Sequence, residues 1–546
     1  MKLQTVRQRM LNTTMIGTAA LLALAAAPVM MLVAPTEALA QSLTGSLRVT
    51  VSGDGGAPLA GATVMVSSPD SLVSRTGVTD ADGRVRLAGL DPATNYTVNV
   101  TADGYDAFGA GNVAVVAGRD LSVGYVLVSG AGSASNVGDI VVTGTSLAAI
   151  DVTSAQVSTT LTLGVVEALP TARNYQSYLQ LVPGVKPSNG GNPSSRSGVN
   201  YAEAGGGIGT SSDNLYYLDG VDVTDPVTGT FGSNFNSEII QEQQVIVGGV
   251  PAEYAGGSGL VSRVITKSGG NEWHGSLNYY FQNSDLVAED QNTTSGGFDT
   301  YDFAFTLGGP IIQDRLWIYG SYQKKNRTDE VLDVANGNIL RTVENDQDFS
   351  FAKLTWQATD NDRLTLTYFG DPTTISGQNS SAIINRRDFS REQGGDNYKV
   401  DYTRTWGDLI LNAYYFNHEA QIIDVAVDNT IRDNVTYRNA FNSTLEQRQL
   451  GGRGINLEET RNREEFGSSF EYYLDTGFGS HTFKGGFSFA DNTNFQTELG
   501  SGRRDLQLAG PDLQRHDAGL LCRVGLDGAR DHHAGLRDLP PAGAER

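Results

Sequence analysis

Three aspartates spaced three apart, Asp219, Asp222 and Asp225 in the tract YYLDGVDVTDP, are the first residues in this chain that could do chemistry. Carboxylates so close together invite a metal or a proton-transfer reading. Their spacing does not match an EF-hand loop. The tract reads instead as a tight strand-to-strand turn, Tyr217-Leu218-Asp219-Gly220-Val221-Asp222, with Gly220 supplying a free backbone position. Asp80 and Asp82, in TDADGR, read as turn formers on a hairpin. Glu253 and Arg263 are candidates for a buried pair between an inner domain and a surrounding wall, where one charge without the other would be costly. No histidine lies between Gln41 and Trp273, so a His-ligated zinc site cannot be built there. The chain has no Ser/His/Asp set in a recognisable context and no phosphate-cradling loop. No catalytic residue, metal or cofactor is therefore assigned, and the chain reads as a non-enzyme.

The elements that must hold these residues are short. Leu215–Leu218, Gln244–Val247 and Leu260–Thr266 are apolar runs bounded by turn residues, the pattern of buried strands. Ser237 followed by Glu238 marks a short helix start. Upstream, Tyr175 and Leu179 sit four apart and Leu179 and Val182 three apart, one apolar helix face that Pro183-Gly184 stops. Together they make a small α+β unit threaded with glycine.

Bulk composition narrows the class. Among 546 residues, 61 acidic side chains outnumber 39 basic ones, for a net charge of −22. That balance argues against nucleic acid, which needs clustered Lys and Arg. A single cysteine rules out a disulfide framework within the chain. Residues 1–40 read as a cleaved secretory signal peptide. Lys2, Arg7 and Arg9 precede an apolar stretch from Met15 to Val33, and Ala38-Leu39-Ala40 gives small residues before Gln41. Residues 43–128 show short alternating strands at the spacing of a β-sandwich. Residues 129–149 are a Gly/Ser linker carrying the extended segment Asp139, Ile140, Val141, Val142, Thr143 and Gly144, suited to joining a partner's sheet edge.

From Asn271 the texture changes to alternating segments of about ten residues with aromatic ends, beginning near Trp273, Tyr301, Leu316, Phe349, Leu364, Tyr398, Leu409, Phe466 and Phe483. Polar loops such as Asp371–Asp396 separate them. This is the signature of an outer-membrane barrel with aromatic girdles. Residues 503–546 break the pattern: no Phe, Tyr, Trp or Lys occurs, while Cys522, His516, His532 and His533 do. That composition reads as a shifted frame rather than a metal site. Plugged transporter barrels have about 22 strands, so the segments in 271–502 are expected to form only the N-terminal portion of such a barrel.

Two sets of phrases carry resemblances. PLAGATVMV, TDADGRVRLAGL and YTVNVTADGY resemble carboxypeptidase-regulatory-like domains, a fold related to carbohydrate-binding modules. The ordered run YYLDGVDVTDP, EIIQE, VIVGG, AEYAGGSGLV and VITKSGGNEWHG resembles the plug of TonB-dependent outer-membrane receptors, Oar-like subgroup. The resemblance implies a mainly β chain: signal peptide, β-sandwich, α+β plug over 150–270, then a partial transmembrane β-barrel. It implies a Gram-negative outer-membrane location and contact with membrane lipid. It also implies that Asp139–Gly144 is a TonB box and that an extracellular substrate of unknown identity is moved at the expense of the inner-membrane proton gradient. An alternative is a cell-surface adhesin whose sandwich binds glycans, with Tyr96, Tyr105 or Phe108 as stacking platforms.

Overall fold

The computed structural model describes residues 43–69, 74–130, 156–162, 175–187, 202–204, 211–251, 253–254, 259–288, 296–333, 337–378, 388–427, 435–438, 447–450, 453, 455–476, 479–500 and 523–526. The signal segment, Asp139–Gly144 and the tail, apart from Arg523–Leu526, lie outside them.

The N-terminal sandwich contains β1 (Gly45–Gly53), β2 (Thr63–Ser67), β3 (Arg75–Val78), β4 (Arg84–Leu90), β5 (Ala93–Thr101), β6 (Phe108–Val115) and β7 (Asp120–Leu127). One sheet runs β4-β1-β7 and the other β3-β2-β5-β6. Period-two alternation puts Leu47, Val49 and Val51 of one sheet against Val64, Val98 and Val100 of the other, all sealed from solvent. Each such side chain contributes about 1.5–3 kcal/mol of burial. Tyr96 is also fully buried, and its hydroxyl donates to the Asp91 carbonyl at 2.8 Å. It cannot stack on a sugar. Tyr105 and Phe108 pack partly buried on the same core. Asp80 Oδ1 accepts the backbone N–H groups of Asp82 and Arg84, both at 2.9 Å, which closes the β3–β4 turn.

The inner domain contains β8 (Val157–Thr162), α1 (Tyr175–Leu179), β9 (Val185–Pro187), β10 (Ala202–Ala204), β11 (Leu215–Leu218), β12 (Val221–Asp222), β13 (Ile240–Gly248) and β14 (Val261–Thr266). Its main sheet has the order β12-β11-β14-β13-β8. The helix is a little over one turn, shorter than the apolar spacing implied; beyond Leu179 the chain tightens into three-residue turns, Val182 N–H to the Leu179 carbonyl at 3.2 Å and Val185 N–H to the Val182 carbonyl at 3.1 Å. The start expected at Ser237 is a single 3-10 turn, Ser237–Ile239, capped by the Asn236 side chain accepting from Glu238 N–H.

The third body is a long antiparallel sheet. It contains β15 (His274–Asn283), β16 (Phe298–Ile312), β17 (Leu316–Leu332), β18 (Ile339–Gln357), β19 (Asp362–Gly370), β20 (Thr373–Gln378), β21 (Phe389–Trp406) and β22 (Leu409–Ala426). A separate hairpin, β23 (Val435–Arg438) with β24 (Gln447–Leu450), precedes β25 (Ile455–Thr476), β26 (Gly479–Gly500) and β27 (Arg523–Leu526). Alternation sorts most of its side chains: Trp317 is sealed inside while Ile318 is 36% exposed outside. The outer face is apolar and aromatic, as lipid requires. Tyr279, Phe281, Phe303, Phe305, Val400 and Phe489 all point outward and are exposed. The described residues of the expected loop Asp371–Asp396 are mostly strand. β20 pairs with β18 and β21, and β21 begins at Phe389. Polar strands that run past the apolar band lose the hydrophobic alternation by which a strand is recognised, so they read as loops. Among the described residues β15 pairs on one side only, and the sheet is open there.

Candidate functional site

The β11–β12 hairpin turns at Asp219 and Gly220, whose φ values are +46° and +82°. Both are left-handed, as a two-residue Asp-Gly hairpin turn requires. The Asp219-Gly220 pair between apolar residues is the residue-level signal for positive φ at both positions. This hairpin forms one edge of the inner sheet and faces the barrel wall. There the three aspartates divide their oxygens the same way. One oxygen accepts a backbone N–H of the inner domain, local for Asp222 and Asp225 and on β14 for Asp219; the other meets a cation of the wall.

Asp219 Oδ1 accepts Thr266 N–H at 2.8 Å, while Oδ2 accepts Thr266 Oγ1–H at 2.6 Å and pairs with Lys353 at 2.9 Å. Lys399 donates to the Asp219 carbonyl at 2.5 Å and pairs with Asp401 at 2.9 Å. Burial pushes the Asp219 carboxyl up, but Lys353, Lys399 and the Thr266 bonds outweigh it and hold it below the usual carboxylate range. Asp222 Oδ1 accepts Thr224 N–H and Oδ2 pairs with Arg463, both at 2.9 Å. Asp225 Oδ1 accepts from Val227 and Thr228, and Oδ2 pairs with Arg461 at 2.6 Å. Burial raises the Asp225 carboxyl, yet Arg461 and the turn bonds bring it below its ordinary value.

These pairs replace the metal reading. Among the described residues no group of three metal-ligating side chains comes together. A cavity of about 160 Å³ between hairpin and wall is lined by Tyr217, Asp219, Asp222, Lys399, Arg463 and Glu465 among others. Leu218 and Val221 lie on the other face of the hairpin, buried in the inner-domain core. That core continues into the inward rings Tyr319, Phe351, Phe369 and Phe416 of the wall, so an apolar patch and an ionic patch share the contact.

Glu253 and Arg263 do not bridge inner domain and wall as expected; both belong to the inner domain. Arg263 on β14 lies between Tyr217 and Gln244 in register, 5% exposed, with no hydrogen-bond partner on Nε or Nη2. Burial raises the Glu253 carboxyl and Arg263 only partly offsets this. The wall cations Arg461 and Arg463 escape sequence reasoning because NLEETRNREEFG carries no apolar period to mark it as a strand. In β25 every second residue of it faces inward.

Two family models match the chain: a carboxypeptidase regulatory-like domain over residues 46–128 and an outer membrane beta barrel domain over residues 265–337. The class is thus an outer-membrane barrel protein with an N-terminal regulatory-like sandwich, located in the Gram-negative outer membrane. The chain is a homologue of TonB-dependent transporters, which are not enzymes. It is 26% identical over 342 residues to "TonB-dependent transporter Oar" of Myxococcus xanthus, covering 58% of this chain and 30% of that protein. It is 26% identical over 386 residues to "Probable TonB-dependent siderophore receptor PirA" of Acinetobacter baumannii, covering 64% and 48%. The chain thus spans less than half the length of these relatives. Similar solved structures include the outer membrane transporter YddB from Escherichia coli, at 15% identity and a TM-score of 0.45, covering 63% of this chain and 55% of that one. The PirA structure gives 16% identity and a TM-score of 0.44, with 63% and 48% covered.

Proposed function

We propose that this chain is the N-terminal portion of an Oar-like TonB-dependent receptor, in which residues 150–270 are the plug and residues 271–502 are barrel wall. The observation that carries the reading is the ionic contact of Asp219, Asp222 and Asp225 with Lys353, Lys399, Arg463 and Arg461. Ion pairs hold a domain in one register yet can exchange their partners for water when the domain moves, which a domain that must shift requires. No covalent chemistry is needed; the work is binding and gating. TonB takes the extended segment Asp139–Gly144 as an added strand, with main-chain hydrogen bonds supplying the grip. Pulling there shifts the plug and opens a path along the wall for a substrate bound outside. The two relatives, a transporter and a siderophore receptor by name, support the class of activity and leave the cargo open.

The test is deletion of Asp139–Gly144 in an intact receptor carrying this chain. Energised uptake and binding of the purified TonB periplasmic domain are both expected to vanish, while the barrel still assembles in the outer membrane. Uptake that persists would refute the assignment of the segment.

A further inference from the structure

We propose that the sandwich is a second closure of the plug, clamped across the short-turn mouth of the barrel, so that the plug is held until the sandwich lets go. The inference rests on the transport reading above.

The barrel strands are joined by short turns at one end, and in outer-membrane barrels that end faces the periplasm. The sandwich sits on this end and contacts four neighbouring strands. Arg363 of β19 donates to both oxygens of Asp91, at 2.6 and 3.3 Å. Arg75 donates to the Asp360 carbonyl at 2.9 Å and reaches Thr405 of β21 at 3.5 Å. Ala88 packs with Ile410 of β22 and Tyr473 of β25 in a small buried cluster. The Arg86 guanidinium lies 4.4 Å from the centroid of the Tyr473 ring.

The same domain grips the plug. Arg119 donates to Ser158 of β8 at 3.2 Å, and Glu242 of β13 accepts the Ala117 N–H. Between sandwich, plug and wall lies a polar cavity of about 110 Å³, bordered by Leu43, Asp91, Asp219, Lys353 and Lys399. The ionic contact of the plug therefore opens onto a space whose floor is the sandwich. A plug shifting toward the periplasm meets that floor first.

Hydrogen–deuterium exchange on the full chain in detergent micelles tests this, with neither TonB nor substrate present. Arg363→Asp and Asp91→Arg are each expected to deprotect the turn at 359–362. They should also speed exchange about tenfold in β8 and β13. The double swap, which restores the pair with its charges reversed, should return both regions to wild-type exchange and so ties the effect of the single variants to the lost pair rather than to misfolding at either position. Deprotection of the turn with β8 and β13 unchanged would overturn the closure, and an unchanged turn would overturn the clamp itself. Because no transport is measured, a failure here is separable from a failure of the box deletion.

Discussion

At the scale of single residues, the plug–wall contact makes sharp demands. Asp219 lies beside two lysines in a buried site, so removing its charge takes the carboxylate partner from Lys353, while Lys399 keeps Asp401. Breaking a buried pair this way costs about 3–5 kcal/mol, far more than a surface pair. Asp219→Asn should lower the melting temperature of the inner domain by calorimetry, whereas Asp329→Asn, in an exposed pair with Arg327, should leave it nearly unchanged. Glu242 behaves oppositely. Burial pushes its carboxyl up to about 7, against the pull of Arg263, the Ala117 N–H bond and Arg119. In the docked, folded protein it holds a proton that the unfolded chain, near 4.5, has released. The stability contribution is thus undiminished below about pH 4.5, declines as pH rises, and is fully lost above about pH 7, a swing of about 3 kcal/mol. Glu242→Gln should flatten that fall in melting curves taken from pH 5 to 8. An unaltered slope would exclude Glu242 as its source.

At the scale of elements, legibility depended on where each segment's side chains point. A buried run such as Leu215–Leu218 announces itself, because a strand covered on both faces can be apolar throughout. The lipid-facing strands also announce themselves, with apolar residues alternating against lumenal Lys399 and Lys353. What stays hidden lacks a hydrophobic period: Thr373–Gln378 is uncharged but mostly polar, and the first half of β25 is densely charged, so neither reads as a strand. Of the site, the three aspartates stood out by spacing. Their partners lie more than 100 residues on and follow only from the closure of the sheet around the inner domain. The hairpin gives a prediction of its own. Gly220→Val forces a β-branched residue to a φ of +82°, at a cost of about 1–2 kcal/mol. Calorimetry should register it as a loss shared with the Asp219 contact, because the turn positions both.

At the scale of the whole molecule, three bodies meet at one end of the barrel, and each touches the other two. The sandwich holds wall and plug through Arg363 and Glu242. The plug holds the wall through its aspartates. The order of the inner sheet then acquires a mechanical meaning. Among the described residues β8 is the first plug strand after Asp139–Gly144, and it lies at one edge, while the aspartate hairpin lies at the opposite edge, with β13 and β14 between. Tension applied upstream of Val157 loads β8 first. Its bonds to β13 can break singly and in sequence, as a zipper opens, before any force reaches Asp219. Such a sheet yields in stages, giving up one strand cheaply while its far edge stays anchored to the wall. Pulled from the segment before β8 in an optical trap, the plug should extend in two steps. The second should rise in force with the intact aspartates and fall when Asp219 becomes Asn.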